Sequence, residues 1–368
     1  MSLFAYFCVS KTTTVEKNNA VLLICTGGTI SMSEDPLTGA LQPVDFEKIF
    51  DYLPELSKTG LRVDSIAFDP LVDSSDIDPS SWSKLANIIH DHYQQYDGFV
   101  VLHGTDTMAY SASALSFMLN NLGKAVIFTG SQLPLGVLRS DARENLLTAI
   151  EMAAARENGQ AMVPEVCIFF EDTLLRGNRT TKQNADHFNA FRSHNYPPLA
   201  KAGVHIKYAK KFIHYPNPQS SLSLRTRINQ QVAVLKIFPG ISERTVRAIL
   251  EIPDLKAVVL ETFGSGNAPR QEWFHKALKE ANNKGMILVN KTQCAVGSVE
   301  MGRYATSLHL LNAGVLSGLD ITTEAIVTKL MYLMGEHSSS EEVKKLLQSN
   351  LCGEISLEDE QTYSEALR

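Results

Sequence analysis

The sequence predicts an α/β fold in two domains, a parallel-sheet N-terminal domain and a smaller α/β C-terminal domain. Three observations carry this. Short apolar runs of strand length alternate with longer segments of helical spacing, the pattern of right-handed βαβ crossovers and a parallel sheet. The alternation breaks down in a stretch holding Pro216, Pro218, Ser220 and Ser221, then resumes. The 368 residues also exceed one ordinary core and suggest about two domains. The division that follows is an N-terminal extension over 1–18, a first domain over 19–208 and a linker over 209–231. A C-terminal domain over 232–352 and an acidic tail over 353–368, fraying from Cys352, complete the chain.

The elements read in order. Val21–Cys25 is the first strand. Asp78 caps a helix with Pro79 in its first turn, and Trp82, Leu85, Ile88 and Ile89 follow at helical spacing. Phe99–Leu102 is the next strand, and Ala109 to Leu122 a helix closed by Gly123. Ala125–Thr129 is a strand, Asp141 to Ala155 a helix and Val166–Phe170 a strand. In the second domain Val232–Phe238 is a strand, and Ser242 caps a helix running to Ile252. The strand Lys256–Leu260, the helix Gln271–Asn283 and the strand Met286–Asn290 follow. Helices around Thr322–Met334 and Glu341–Gln348 finish the fold.

Composition narrows the function. A 44% apolar and 20% charged chain reads as soluble and globular. No apolar run approaches the ~20 residues that span a bilayer, so no membrane partner is expected. The apolar piece Leu3 to Val9 lacks a basic start and a small-residue cleavage site, and reads as an extension rather than a secretory signal. The five cysteines are scattered with no CxxC pair, which indicates neither a disulfide framework nor a zinc site and fits a reducing cytoplasm. A formal net charge of −6 argues against a nucleic-acid partner, and the basic cluster Lys207 to Lys211 is too short to reverse that.

The chemistry gathers on loops at strand ends. Thr29 lies in Thr26-Gly27-Gly28-Thr29-Ile30 behind the first strand, and Thr105 in His103-Gly104-Thr105-Asp106-Thr107 behind Gly98 to Leu102. A hydroxyl presented where parallel strands end, beside backbone N–H groups exposed by glycines, is placed to act as a nucleophile. It needs a group to take its proton. Lys182, in Arg176-Gly177-Asn178-Arg179-Thr180-Thr181-Lys182, is the candidate. Its segment follows Val166–Phe170 and is expected on the same sheet edge as the threonines, where a partly desolvated lysine beside Thr105-Asp106 can accept a proton. Asp73-Ser74-Ser75-Asp76 offers hydroxyls, N–H groups and carboxylates suited to a zwitterion. Each piece alone also reads as ordinary turn or cap chemistry, and Gly264-Ser265-Gly266-Asn267 as a plain turn or a ligand loop. Their co-occurrence on strand-end loops favours a site. His90 and His92, two apart on a helix, point to different faces and do not suggest a metal pair.

With these motifs the chain resembles the type I, cytoplasmic-type L-asparaginases of the bacterial asparaginase/glutaminase family, from about Asn19 to Glu354. Thr26 to Ile30 resembles the family's first signature and Gly98 to Tyr110 its second; Arg176 to Lys182 and Gly264 to Pro269 also fit. The resemblance implies hydrolysis of asparagine with Thr29 as nucleophile, a β-aspartyl ester and release of ammonia. It implies that Thr105, Asp106 and Lys182 handle the proton and activate water, and that Ser74, Ser75 and Asp106 bind the substrate's α-carboxylate and α-ammonium. Backbone N–H groups near Thr105 would form the oxyanion hole. It further implies no metal or organic cofactor and a homodimer or homotetramer.

Two departures from the family pattern stand out. Many members carry a tyrosine about ten residues after the first threonine, whereas Ser31 to Leu41 has none. Tyr304, in Met301-Gly302-Arg303-Tyr304-Ala305, lies where some type I relatives place a compensating tyrosine; a core or interface role fits it equally. Some type I members bind asparagine at a second site through an arginine, and the matching position here is Glu261, with Thr181 and Cys294 retained. A carboxylate there repels the effector's carboxylate, so a vestigial site with weak or absent activation is expected. Two alternatives remain: an amidase subunit of a tRNA-dependent amidotransferase, disfavoured by the acidic balance, and an amino-acid-binding regulatory protein without catalysis, disfavoured by retention of the threonines, aspartate and lysine.

Overall fold

The computed structural model describes residues 19–34, 41–43, 53–135, 137–302 and 305–356. The 1–18 extension, Tyr304 and the chain beyond 356 lie outside the described residues. Five parallel strands, β1 (Ala20–Cys25), β2 (Arg62–Ala67), β3 (Gly98–Leu102), β4 (Ala125–Thr129) and β5 (Val166–Phe170), lie in the order β2-β1-β3-β4-β5. Beyond β5 the antiparallel strands β6 (Thr173–Arg176), β7 (Ala200–Lys201) and β8 (Lys207–Tyr208) extend the same sheet. β2 escaped the sequence reading because it is an edge strand. Its run Arg62-Val63-Asp64-Ser65 has only Val63 buried and lacks an apolar signature.

Among the described residues, three helices cover the sheet: α1 (Pro79–Asp91), α2 (Met108–Met118) and α3 (Ala142–Ala154). Successive strand residues point to opposite faces. Val21, Leu23 and Cys25 of β1 join the core beneath α3, and Leu22 and Ile24 join the core beneath α1 and α2. Burial on both faces explains why these strands are continuously apolar. Asp78 caps α1 as expected, its carboxylate accepting from Ser81 N at 3.0 Å. α2 stops at Met118 rather than Leu122, because Leu119–Asn120 pairs antiparallel with Ser223–Leu224. The proline- and serine-rich stretch is therefore tied to the first domain rather than hanging free.

The C-terminal sheet is wholly parallel, with β9 (Val232–Lys236), β10 (Ala257–Thr262), β11 (Ile287–Thr292) and β12 (Leu316–Ser317) in sequential order. Helices α4 (Glu243–Leu250), α5 (Glu272–Asn283) and α6 (Ala305–Asn312) cover one face. Helices α7 (Thr323–Glu336) and α8 (Ser340–Leu347) cover the other. α6 and β12 are additions to the sequence reading. α7 also packs on α2, where Phe117 and Tyr332 stack with centroids 6.0 Å apart.

The expectation that the chain frays from Cys352 is corrected. Glu354, Ile355 and Ser356 are buried, and Lys329 Nζ of α7 lies 2.6 Å from Glu354 Oε1 with both side chains fully enclosed. A buried carboxylate is stable only when paired, and Lys329 supplies the partner.

Candidate active site

Chain order reverses between β1 and β3, since β2 lies on one side of β1 while β3, β4 and β5 lie on the other. Ligands of open α/β sheets bind in the crevice that opens at such a point, outside the carboxyl ends of the strands. The loops after β1 and β3 are the ones that carry Thr29 and Thr105.

The two loops touch through their glycines. Gly28 has φ 83°, and a Cβ there would lie 2.4 Å from Gly104 Cα and N. A Cβ on Gly104 would in turn lie 2.5 Å from Ser74 Oγ. Both close approaches exclude a side chain, so Thr26–Thr29, His103–Thr105 and the Ser74 turn pack as one body. Thr29 opens a short 3-10 turn, Thr29–Ser31, in which Ser31 Oγ donates to Gly27 O at 2.9 Å. Ser74 is buried, and its carbonyl accepts from Thr107 Oγ1 at 2.6 Å. Ser75 is exposed, and its N and Oγ both donate to Asp73 Oδ1 at 2.8 Å. Those bonds hold the Asp73 carboxyl below its ordinary pKa, the backbone bond contributing most.

Lys182 Nζ donates to Thr105 Oγ1 at 2.8 Å and to Asp106 Oδ1 at 2.6 Å. The lysine is largely enclosed while Asp106 faces solvent. The two threonine loops and Lys182 thus converge as the sequence reading expected, but the route of Lys182 differs. β6 runs back along β5 with Arg176 opposite Cys167, so the segment starts toward the far edge of the sheet, not the threonine edge. The turn Gly177–Arg179 then packs against α2, and Thr181–Lys182 pairs with Phe191–Arg192 on the return.

His103, directly before Gly104, is a buried residue beneath the Thr105 loop with no role expected from the sequence. Its Nδ1 lies 2.7 Å from Gly104 O, and a carbonyl can only accept, so Nδ1 carries the proton. Nε2 then accepts from Ser111 Oγ of α2 at 2.9 Å, and Ser111 Oγ accepts from Trp82 Nε1 of α1 at 3.0 Å. Complete burial lowers the His103 pKa to about 4, which keeps the ring neutral and this chain of bonds intact. Its position directly before Gly104 in the motif was the available signal.

The residues of the expected second site also meet. A cavity of about 230 Å³ between the domains is lined by Thr181, Glu261, Lys291, Cys294 and Glu324, among others. Thr181 Oγ1 donates to Glu324 Oε1 at 2.5 Å, and Thr323 Oγ1 donates to Glu261 Oε1 at 2.7 Å. Burial raises the Glu324 carboxyl pKa and lowers that of Lys291.

The order reversal in the sheet, the paired glycine loops and the Thr–Lys–Asp contact point to one class of protein. The chain belongs to the asparaginase/glutaminase family: the family models "Asparaginase, N-terminal" and "Glutaminase/Asparaginase C-terminal domain" match residues 20–214 and 231–347. Among individual relatives it is 44% identical to L-asparaginase 1 of Escherichia coli (strain K12) over 349 residues, covering 93% of this chain and all of that protein. It is 42% identical to the human 60 kDa lysophospholipase, over 91% of this chain and 61% of that longer protein. The solved L-asparaginase I of Vibrio cholerae O1 biovar eltor str. N16961 superposes with a TM-score of 0.84 at 43% identity, covering 92% of this chain and all of that one.

Proposed function

We propose that this chain hydrolyses L-asparagine to L-aspartate and ammonia through a threonine nucleophile. The observation that carries the reading is Lys182 Nζ, bonded to both Thr105 Oγ1 and Asp106 Oδ1, in loops packed against the turn of Thr29 through the Gly28–Gly104 approach. Family membership supports the substrate class.

Thr29 Oγ1 attacks the side-chain amide carbon. Its proton passes to the amide nitrogen, the C–N bond breaks, ammonia leaves, and a β-aspartyl ester remains on Thr29. Lys182, as the free amine, then takes a proton from water by way of the Thr105 hydroxyl, and Asp106 stabilises the ammonium that forms. The hydroxide adds to the ester carbon, the ester C–O bond breaks, and Thr29 recovers its proton. Backbone N–H groups beside Thr105 hold the oxyanion, each worth about 3 kcal/mol of barrier. Ser74, Ser75 and Asp106 hold the α-carboxylate and α-ammonium of the substrate. Tyr304 supplies the hydroxyl that polarises Thr29 in place of the tyrosine missing from Ser31 to Leu41.

The cavity at Thr181, Glu261 and Cys294 is a vestigial effector site. Its lysines, Lys236 and Lys291, already face Glu261, which leaves an incoming carboxylate little attraction. No helix among the described residues is long and apolar enough to cross a membrane. Cytoplasmic location and assembly as a homodimer or homotetramer belong to the same proposal, as does the division at 208/209 and 231/232.

The test is ammonia release across L-asparagine and L-glutamine concentrations, for the native chain and Thr29→Ala. Turnover of asparagine that falls at least about 1,000-fold in the variant is the expected result. Near-native activity of Thr29→Ala removes the nucleophile assignment. Undetectable ammonia from the native chain, with asparagine still raising its melting temperature, replaces the enzyme reading with that of an amino-acid-binding protein.

A further inference from the structure

We infer that the C-terminal segment 350–356 is a positioning clasp for the proton-handling group: by holding Arg176, Asn178 and Arg179 it sets Lys182 against Thr105 and Asp106. The inference rests on the proposed role of Lys182.

The segment that carries Lys182 has its own long side chains turned away from the crevice and into the C-terminal strap. Arg176 Nη1 donates to Gly353 O at 3.3 Å, and Asn178 Nδ2 donates to Cys352 O at 3.1 Å. Arg179 Nη1 donates to Glu354 O at 3.0 Å, while its Nη2 donates to Ser356 Oγ and lies 3.1 Å from Asp320 Oδ2. Three of four consecutive residues are thus fastened to the strap, at separations of 174 to 177 positions along the chain. Arg176 is further held by Glu165, Oε2 at 2.6 Å, on the other flank. Arg179 is almost wholly enclosed, so the fork geometry of its guanidinium fixes its backbone in both distance and direction.

The strap is itself rigid. Glu354 accepts from Leu351 N at 3.0 Å and Cys352 N at 2.8 Å, and pairs with Lys329 at 2.6 Å. Lys329 Nζ also donates to Leu347 O and Ser349 O, at 2.9 and 2.6 Å. Ser356 N and Oγ donate to Asp320 Oδ1 and Oδ2, at 2.9 and 2.7 Å. Asp320 therefore fastens the strap and Arg179 together, and the Asp320 pKa is lowered by Arg179 and Ser356 against the opposing effect of burial.

The nearest of these contacts, at Arg179, sits three residues from Lys182, and the pairing of Thr181–Lys182 with Phe191–Arg192 carries the fixed backbone on to the lysine. Two partly independent bonds then aim Lys182 Nζ, and each is short enough that a displacement of about 1 Å breaks it. Misplacement of a catalytic group on that scale costs up to about 100-fold in rate. Of the proposed substrate contacts, Ser74 and Ser75 lie on a different loop, and Asp106 lies on the Thr105 loop, whose backbone the clasp does not touch.

The experiment compares Ser356→Ala and Arg179→Lys with the native chain, by steady-state ammonia release across pH and by thermal melting. Arg179→Lys keeps the charge and loses the fork. It is expected to lower kcat about tenfold or more with KM within about twofold, and to move the pH at which kcat is half-maximal. Ser356→Ala is the milder variant, expected to lower kcat about threefold in the same pattern, and Ser356→Thr to restore it. Native kcat and an unmoved pH profile in folded Ser356→Ala and Arg179→Lys, with only the melting temperature reduced, overturn the clasp and leave a merely structural contact. If Arg179→Lys does not fold, Ser356→Ala against Ser356→Thr decides alone. A native chain that releases no ammonia fails the proposed function instead, so the two failures are told apart.

Discussion

Lys182 reaches Thr105 from 77 positions away and bonds its hydroxyl and the neighbouring carboxylate at once. In the proposed mechanism a group in that place moves a proton rather than gripping substrate. Lys182→Met is therefore expected to lower kcat by about 100-fold or more with little change in KM; steady-state kinetics that show the reverse make Lys182 a binding residue. His103 permits a second statement at this scale. Its folded pKa of about 4 lies below the ordinary 6.5, so the unfolded chain takes up the proton first as pH falls. The stability it protects is complete above about pH 6.5 and is lost on the way down to about 4, reaching at most about 3 kcal/mol. Denaturant midpoints measured at neutral and acid pH should fall less steeply for His103→Asn than for the native chain. Equal slopes would remove His103 as a contributor.

At the scale of elements, the loops after β1 and β3 work as a pair because neither has a side chain where they meet. Gly28→Ala puts a methyl 2.4 Å from the Gly104 backbone and strains a residue at φ 83°. A cost of about 2–4 kcal/mol follows, with a fall in kcat because Thr29 and Thr105 move apart. Urea unfolding of the variant with an unchanged midpoint would contradict the contact. The sequence disclosed these loops because their chemistry is local: an apolar strand, a glycine turn and a hydroxyl are neighbours in the chain. β2 and α6 were not legible in the same way. β2 is an edge strand with charged and polar positions, and only pairing with β1 makes it a strand. The arrest of α2 at Met118 likewise depends on Ser223–Leu224, a segment from the linker.

At the scale of the molecule, the cavity between the domains brings Thr181, beside Lys182, against Glu261 and Glu324 of the C-terminal domain. For the vestigial effector site proposed at this cavity, the rate of asparagine hydrolysis is expected to rise hyperbolically with substrate. A sigmoidal curve that Thr181→Ala makes hyperbolic would show a working effector site. The amino-acid sequence by itself determined the α/β class, the two main sheets and the glycine loops that carry Thr29 and Thr105, because strand periodicity and glycine turns are encoded within a few residues. Tertiary structure alone decided how Lys182 arrives. The hairpin from β5 to β6 sends its segment to the far edge of the sheet, and contacts with α2 and with residues 350–356 bring it back. The His103–Ser111–Trp82 chain and the Lys329–Glu354 pair have the same origin. Each depends on a partner distant in sequence and on the exclusion of water, and neither is present until the core has closed.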